Sequence, residues 1–196
     1  MGRRSDHSRA ELREMIVTEG HRQMQEVGFA RFSAREVAKR IGYSIGTLYN
    51  VFGNYDGLIL AINGRTLDRW RDFLDAQLAK AGPDADRLKC AIDAYFEFAV
   101  AHRHAWAALY DFRLPEDVEL PEFYQGKITG IMDLVVREVA AVLPPERLDQ
   151  AEPLARSLLA TVHGHCAFTL NGTFALLGEH DPLATALQRV NEALRR

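Results

Sequence analysis

The sequence lacks the features that mark secreted, membrane-spanning and disulfide-rich proteins. Cysteine occurs only twice in 196 residues, at Cys90 and Cys166, which is too few for a disulfide framework and gives no metal-binding spacing. No apolar run approaches the ~18 residues that cross a membrane, and the opening MGRRSDHSR has no apolar signal-peptide core. We therefore expect a chain without metal or cofactor that works in the reducing cytoplasm, away from membranes.

Signals for β-structure and for common catalytic loops are also missing. β-branched residues do not alternate, and no Asn-Gly or Asp-Gly pair separates two strand-like runs. There is no glycine-rich phosphate loop and no Gly-x-Ser-x-Gly elbow. The chain is thus predicted to be all-α and not an enzyme, although an enzyme that transforms a small molecule stays open as an alternative.

What the sequence does have is a hydrophobic content of 47% and an uneven charge distribution. The hydrophobic content supports a sizeable core and argues against disorder. Residues 1–57 contain nine Lys/Arg and seven Asp/Glu, a net charge of +2, whereas residues 58–196 contain fifteen and twenty, a net charge of −5. A basic head on an acidic body predicts that only the head meets phosphates.

Helical periodicity covers nearly the whole chain and predicts about nine helices. Their predicted ranges are about 8–27, 33–40, 45–52, 56–81, 85–102, 104–112, 122–142, 152–170 and 182–196. Ser33 opens the second helix with a capping box completed by Glu36, Ser44 caps the third, and Asp181 caps the ninth. The first three helices form a compact head, and the long fourth helix links that head to a helical bundle.

The third predicted helix is too short to be stable alone, so it must be packed on its neighbours. Gly42 permits a tight turn before it, and Ile41, Ile45 and Leu48 can hold it against the second helix. A short helix held this way, with one face free, has the form of a helix-turn-helix unit, whose second helix enters the DNA major groove.

The free face of this helix carries residue types that suit DNA. Gly46 lets a backbone approach closely, and Thr47 and Tyr49 offer hydroxyl groups to phosphate oxygens. Asn50 can form a bidentate contact with adenine. The alternative is that glycine, serine and asparagine here serve only as turn residues at a structural corner.

Residues 10–65 resemble the DNA-binding domain of the TetR (tetracycline-repressor-like) family. The resemblance is carried by GFARFSAREVAKRIGYSIGTLYNVFGNYDGLILAI, above all by IGYSIGTLYNVF followed by a helix start. It implies a homodimeric transcription factor, most often a repressor, with a DNA-binding domain over residues 1–57 and a ligand-binding and dimerisation domain over residues 58–196. Tyr55 stands where the family usually has a lysine that contacts a phosphate. The segment ATVHGHCAFTLNG is similar to a His-Gly helix of one large subgroup.

We predict three sets of site residues. The predicted DNA contacts are Ser33, Arg35, Tyr43, Ser44, Ile45, Gly46, Thr47, Tyr49, Asn50 and Tyr55. The predicted ligand-binding residues, aromatic or polar, are Phe96, Trp106, Tyr110, Phe123, Tyr124, His165, Cys166 and Thr169. The predicted dimer interface combines small residues of the eighth helix with an apolar stripe of the ninth: Ala160, Gly164, Ala167, Leu183, Leu187, Val190 and Leu194.

The predicted partners are a palindromic double-stranded DNA, a second copy of the chain and a small apolar or weakly cationic effector. The effector would tilt the fourth helix, which is expected to be the sole link between head and bundle. A DNA-binding scaffold without any ligand is the alternative. Arg3, Arg4 and Arg9 form either a solvated tail or an arm for the minor groove.

Two histidine pairs, His102 with His104 and His163 with His165, suggest metal chelation at first sight. Residues two apart on a helix point about 200° apart, so both imidazoles of a pair cannot face one ion. We therefore expect no metal site, and His165 is instead a core histidine or a polar group in a ligand pocket.

Overall fold

The computed structural model describes residues 7–82 and 86–195, and within these ranges the regular secondary structure is entirely helical. The elements in chain order are α1 (Arg9–Val27), a 3-10 turn (Phe29–Arg31), α2 (Ala34–Arg40), α3 (Ile45–Phe52), α4 (Tyr55–Lys80), α5 (Arg87–Ala101), α6 (Arg103–Asp111), α7 (Glu122–Ala140), a second 3-10 turn (Pro145–Gln150), α8 (Ala151–Leu170), α9 (Thr173–Leu177) and α10 (Pro182–Arg195). The all-α prediction is confirmed. The predicted ninth helix is α10. Arg3, Arg4 and the predicted start of the fifth helix at residue 85 lie outside the described residues.

The packing divides the chain into two compact units. Unit 1 comprises residues 1–69 and 102–125, and unit 2 comprises residues 70–101 and 126–196. The chain therefore passes between the units three times: within α4, between α5 and α6, and within α7. The expectation that the fourth helix is the sole link was wrong, because α6 returns to unit 1. The domain boundary after residue 57 stays a prediction.

The head helices of unit 1 begin at side-chain caps. Ser8 and Glu11 form a complete capping box at α1, in which the Glu11 amide donates to the Ser8 hydroxyl at 3.2 Å and the Ser8 amide donates to the Glu11 carboxylate at 2.7 Å. At α2 the Ser33 hydroxyl accepts the Glu36 amide at 3.3 Å, but the Ser33 amide donates to the Gln23 side chain at 2.8 Å. Gln23 of α1 thus replaces Glu36 in the second half of the predicted box, so the cap also joins α2 to α1.

Glu36 instead takes part in an ion-pair network on the surface of α1 and α2. The Arg40 guanidinium lies 3.0–3.2 Å from carboxylate oxygens of Glu19, Glu26 and Glu36. Partly exposed pairs of this kind contribute at most about 1 kcal/mol each. These ion pairs occupy the Arg40 guanidinium. Arg35 and Lys39 of the same helix are exposed.

The core of unit 1 is built from apolar residues of α1, α2, α3, α4 and α6. Its buried members are Leu12, Ile16, Met24, Ala34, Val37, Ala38, Leu48, Leu58, Ile59, Ile62, Ala105 and Ala108. They recur at helical spacing, so each helix contributes one face. The polar contact from the Asn63 amide to the Ala108 carbonyl, at 3.0 Å, ties α4 to α6 within this core.

Unit 2 packs α5, α8 and α10 together with the second half of α4 and most of α7. A salt bridge fastens its α5 to α7: Arg87 donates to both carboxylate oxygens of Glu138, at 2.7 and 2.9 Å, and also to the Leu78 carbonyl at 3.0 Å. Arg147 donates to the Leu194 carbonyl at 2.8 Å and so holds the end of α10.

Short helix α9 was not predicted, because only a stop or kink was expected at Asn171-Gly172. It has five residues and lies between Gly172 and Gly178, both of which adopt positive φ. Leu176 and Leu177 of this helix are largely exposed, at 88% and 68%. Five residues are too few to show helical periodicity, so the sequence pattern does not reveal this helix.

We predict that His21 makes the fold acid-sensitive. Burial, and next the nearby Arg69 and Arg65, lower the pKa of His21 to about 4. His21 is harder to protonate in the folded chain than in the unfolded chain, whose histidine pKa is about 6.5. Its contribution to the free energy of unfolding is therefore fully present above a pH of about 6.5 and is lost as the pH falls toward 4. The free energy of unfolding should therefore drop by about 2 kcal/mol by pH 5 from this group alone.

The measurement compares urea unfolding at pH 7.5 and pH 5 for the wild type and His21→Leu. The drop with pH should be smaller in His21→Leu by about 2 kcal/mol. His180→Leu, at an exposed histidine of unit 2, is the control. An equal drop in wild type and His21→Leu would contradict the prediction.

Candidate functional site

The turn between α2 and α3 has a defined geometry that depends on one glycine. Gly42 has φ +76°, and its amide donates to the Lys39 carbonyl at 3.2 Å while the Tyr43 amide donates to the Ala38 carbonyl at 2.9 Å. This is the Schellman pattern that ends helices at a left-handed residue. Any side chain at position 42 would adopt this φ at a cost, so the predicted role of Gly42 in the turn is confirmed.

Helix α3 is held at its start and along its inner face. The Ser44 hydroxyl accepts the Thr47 amide at 3.1 Å and lies 2.9 Å from the Thr47 hydroxyl. Leu48 is fully buried, and Ile41 and Ile45 are partly buried against the same core. The short helix is therefore stabilised by tertiary packing, as its length requires.

The outer face of α3 is exposed instead of packed on the core. Ser44, Gly46 and Asn50 are exposed, as is Arg35 of α2. A Cβ built at Gly46 would meet only the Ser44 hydroxyl, at 3.6 Å. The packing of the described residues therefore does not require glycine at position 46.

Other predicted DNA contacts are partly buried. Tyr43, Thr47 and Tyr49 lie at the edge of the outer face, and the two tyrosines also pack against the core of unit 1. Ser33 and Ser44 use their hydroxyl groups as caps. A cap is a structural role that does not by itself place these residues on DNA, so their DNA contacts stay predictions.

The junction between α3 and α4 is very close. The Asn54 side chain accepts the Gly57 amide at 2.8 Å, which caps α4. A Cβ at Gly57 would lie 2.2 Å from the Phe52 carbonyl oxygen, so only glycine fits there. The requirement for glycine at position 57 was not predicted. The residues around Gly57 in the sequence do not show that the last turn of α3 approaches this position.

Tyr55, at the first position of α4, is half-buried and its ring lies 6.4 Å from the Phe32 ring. Burial raises the pKa of Tyr55, so its phenol stays neutral. A neutral phenol can hydrogen-bond a phosphate but releases no counterion.

Unit 2 contains an apolar cavity of about 60 Å³. Its lining is Trp70, Leu74, Leu88, Ala91, Ile92, Tyr95, Ile131, Val135, Val139, Leu158, Leu159, Val162 and Val190. The Tyr95 hydroxyl lies 3.0 Å from Nδ1 of His163. Burial lowers the pKa of His163, which does not itself line the cavity. None of the described residues that line the cavity carries a charge.

None of the eight predicted ligand-binding residues lines this cavity. Trp106, Tyr110, Phe123 and Tyr124 lie in unit 1, whereas Phe96, His165, Cys166 and Thr169 lie in unit 2. The Trp106 and Tyr110 rings are 5.0 Å apart, and burial raises the pKa of Tyr124 to about 12.

The predicted ligand residues of unit 2 are occupied within their own helix or buried. The His165 ring bonds to the Thr161 carbonyl at 2.8 Å, and the Thr169 hydroxyl donates to the His165 carbonyl at 2.8 Å. Phe96 is buried, and burial raises the pKa of Cys166 to about 12, so its thiol is unreactive. A ligand role for these residues stays a prediction.

The predicted dimer residues differ in exposure. Ala160 is exposed, and the other small residues, Gly164 and Ala167, are partly exposed. Leu183, Leu187 and Leu194 are also partly exposed, whereas Val190 is 3% exposed and belongs to the cavity wall. Among the described residues, no atom beyond the local helix backbone lies within 4 Å of a Cβ built at Gly164.

Each histidine of the two pairs contacts a different group. His102 Nδ1 lies 3.1 Å from the Gln25 side-chain nitrogen, and His104 Nδ1 lies 2.9 Å from the Gln25 carbonyl oxygen, so both join α6 to α1. In the described ranges, no group of three or more His, Cys, Asp or Glu side chains is arranged to hold a metal ion. A search of the same ranges finds no helix with the length and hydropathy of a membrane span.

Comparison with known proteins decides the family. Residues 88–191, more than half of the chain, match the profile of the "Tetracyclin repressor-like, C-terminal domain". The chain belongs to the TetR family. Residues 16–62 of this TetR-family chain also match the profile "Bacterial regulatory proteins, tetR family", which covers the helix-turn-helix unit. The protein is therefore a DNA-binding transcriptional regulator and not an enzyme.

Individual relatives agree with this assignment. The HTH-type transcriptional regulator BetI of Stenotrophomonas maltophilia is 29% identical over 156 residues, which cover 78% of each chain. A protein with unknown function from Rhodococcus sp. RHA1 superposes with a TM-score of 0.71 at 20% identity, over 100% of this chain and 98% of that one. The multidrug binding protein EbrR, complexed with imidazole, superposes with a TM-score of 0.66 at 20% identity, over 99% and 97%. At this identity the two structures show a shared fold alone.

Proposed function

We propose that this TetR-family regulator is a homodimeric repressor that reads a palindromic DNA site and leaves it when a small molecule with an apolar body binds unit 2. The observation that carries the proposal is α3, a helix of two turns that packs on the core of unit 1 and has an exposed polar face. In a symmetric dimer, two such helices would enter successive major grooves about 34 Å apart. Each half of the palindrome would then be read by one subunit.

The DNA contacts are proposed from exposure and chemistry. Asn50, Ile45 and Tyr43 would meet base edges, and Arg35, Thr47, Tyr49, Ser33 and Tyr55 would meet the backbone. Gly46 is the most informative position, because the folded chain leaves room for a side chain there. We propose that the DNA backbone needs this room.

Gly46→Ala should therefore separate stability from DNA binding. Alanine loses less conformational entropy than glycine when a helix forms. The free energy of unfolding should therefore stay unchanged or rise by up to about 1 kcal/mol. Affinity for the DNA upstream of the gene should fall about tenfold, the order of one lost contact. Fluorescence anisotropy with labelled DNA measures the affinity, and thermal unfolding measures the stability.

Gly126→Ala is the matched control, because Gly126 of α7 likewise has room for a Cβ, which meets no atom within 4 Å in the described structure. It should change stability in the same direction and leave DNA affinity alone. Equal DNA affinity of wild type and Gly46→Ala would remove the support for α3 as the DNA-reading helix. Equal affinity of the wild type for palindromic and scrambled DNA would refute the proposed function itself.

The homodimer is proposed through α8 and α10. Gly164 has open space around it, so a large side chain fits the single subunit but would block a second copy packed on this stripe. Gly164→Trp should sediment as one chain of 22.1 kDa, whereas the wild type should sediment at twice that mass. A wild type that sediments as a single chain at micromolar concentration, or a Gly164→Trp variant that still dimerises, would contradict this interface.

The effector is proposed from the cavity of unit 2. Its wall is apolar and has no acidic side chain, which favours an apolar ligand over the weakly cationic alternative, because a desolvated cation would lack a counter-charge. Similarity to EbrR, a multidrug binding protein complexed with imidazole, supports a response to small molecules. The cavity also favours this reading over a scaffold without a ligand.

A further inference from the structure

The apolar cavity of unit 2 adjoins a second, larger space. This cleft has a volume of about 430 Å³ and is lined by Asp86, Arg87, Leu88, Glu138, Ala141, Val142, Asn191, Leu194 and Arg195. Leu88 lines both spaces, and neighbouring residues divide between them: Val139 faces the cavity and Glu138 the cleft, while Val190 faces the cavity and Asn191 the cleft. The Leu88 side chain is therefore a shared wall.

The two spaces differ in chemistry. The cavity offers hydrocarbon on nearly all sides, and at about 60 Å³ it is far smaller than the 300–1,000 Å³ of a typical ligand pocket. A ligand seated there must extend beyond it. The cleft carries two acidic and two basic side chains together with Asn191, beside the apolar Leu88, Ala141, Val142 and Leu194. A polar group on the extending part would find hydrogen-bond partners there.

Both acidic side chains of the cleft accept hydrogen bonds from their neighbours. Both oxygens of Glu138 accept hydrogen bonds from Arg87, and Arg137 lies 3.4 Å from the same carboxylate. The Asp86 carboxylate caps α5 by accepting the Lys89 amide at 2.9 Å. A cationic group at Glu138 would have to compete with the bonds from Arg87, whereas Asp86 uses only one of its oxygens in the cap.

The basic side chains retain free donor capacity. Arg87 uses three of its five N–H donors in the bonds to Glu138 and Leu78, and its side chain is 41% exposed. Arg195, in the last turn of α10, is exposed. Arg147 donates to the Leu194 carbonyl, which offsets the partial negative charge that the end of a helix would otherwise present. The guanidinium groups of Arg87 and Arg195 are therefore the hydrogen-bond donors that the cleft offers to an entering anionic group.

We propose that the effector is an amphipathic carboxylic acid, whose apolar tail enters the cavity past Leu88 and whose carboxylate lies in the cleft against Arg195 and the open edge of Arg87. A carboxylate matches the planar guanidinium fork of arginine. The proposal rests on the small-molecule response proposed above and adds the chemical class of the ligand and its orientation.

The test uses three probes with the same tail and different head groups: hexanoate, hexanol and hexylamine. Binding to the full chain is measured by isothermal titration and by the shift in thermal unfolding. Hexanoate should bind about tenfold more tightly than hexanol, the order of one charge-assisted hydrogen bond, and hexylamine should bind most weakly. In Arg195→Gln, hexanoate and hexanol should bind within about twofold of each other.

Arg189→Gln is the matched control, because Arg189 is an exposed arginine of α10 that pairs with Glu192 at 2.9 Å and does not line the cleft. It should leave the order of the three probes unchanged. Leu88→Trp, which enlarges the shared wall, should weaken all three probes alike.

Hexanol binding as tightly as hexanoate would overturn the proposal, and so would an advantage of hexanoate that survives in Arg195→Gln or the absence of binding by all three probes. DNA affinity of the same preparation without any probe is measured in parallel. Sequence-specific DNA binding in a preparation that ignores hexanoate would refute only the ligand class. Loss of specific DNA binding would instead refute the proposed function.

Discussion

Leu48→Ala is expected to lower the free energy of unfolding by about 2–5 kcal/mol, as for a fully buried leucine whose site can relax only in part. Leu48 has no exposed surface, and its side chain packs α3 against the core of unit 1. A helix of eight residues has little stability of its own, so the loss of this contact should free α3 from its position. DNA binding should be lost together with stability.

Asn50→Ala is the matched control on the same helix, because Asn50 is exposed. It should leave the thermal unfolding unchanged and cost about 1–3 kcal/mol of DNA affinity at one base position. Chemical unfolding and anisotropy on the same DNA distinguish the two effects. A Leu48→Ala variant as stable as Asn50→Ala would show that α3 does not depend on this contact.

The head of the protein could be predicted because its signals are local. A cap such as Ser44 acts on an amide three residues away, and Gly42 acts on the turn that contains it. Helix capping and turn formation depend on residues that are close in the sequence, so the sequence pattern predicts them. The same pattern also resembles a known family, and that family is confirmed.

Long-range contacts could not be predicted in the same way. Gln23 completes the cap of Ser33 from ten residues away, although Glu36 has the expected spacing. Gly57 is required by the Phe52 carbonyl, which approaches only in the folded chain. Both depend on how two helices pack, and periodicity reports only which face of a helix is buried.

The cavity shows this limit most clearly. Aromatic side chains were expected to line it, yet only Trp70 and Tyr95 do so, and neither was among the predicted ligand residues. A buried aromatic side chain can either pack in the core or line a cavity. Which of the two it does depends on the side chains that neighbouring helices place around it. The aliphatic wall formed by Ile131, Val139 and Leu158 has the same sequence pattern as ordinary core.

The largest electrostatic effect is expected from Arg87→Met. This change would leave the Glu138 carboxylate, whose side chain is 5% exposed, with Arg137 at 3.4 Å as its remaining cationic partner among the described residues. Removing one partner of a buried ion pair costs about 3–5 kcal/mol. Because the Arg87 side chain is partly exposed, we expect a loss in the free energy of unfolding near the lower value, about 3 kcal/mol. Urea unfolding at pH 7 measures it.

The double variant Arg87→Met/Glu138→Met should recover most of that loss, because two apolar side chains leave no charge unpaired. The hydrogen bonds from Arg87 hold the pKa of Glu138 below its usual range. A lowered carboxylate pKa stabilises the folded chain above the unfolded pKa of about 4.3, and the contribution is lost as the pH falls below it. The difference between wild type and Arg87→Met should therefore shrink in acid. A single variant as stable as wild type at pH 7, or a double variant no more stable than the single one, would show that this salt bridge does not hold α5 to α7.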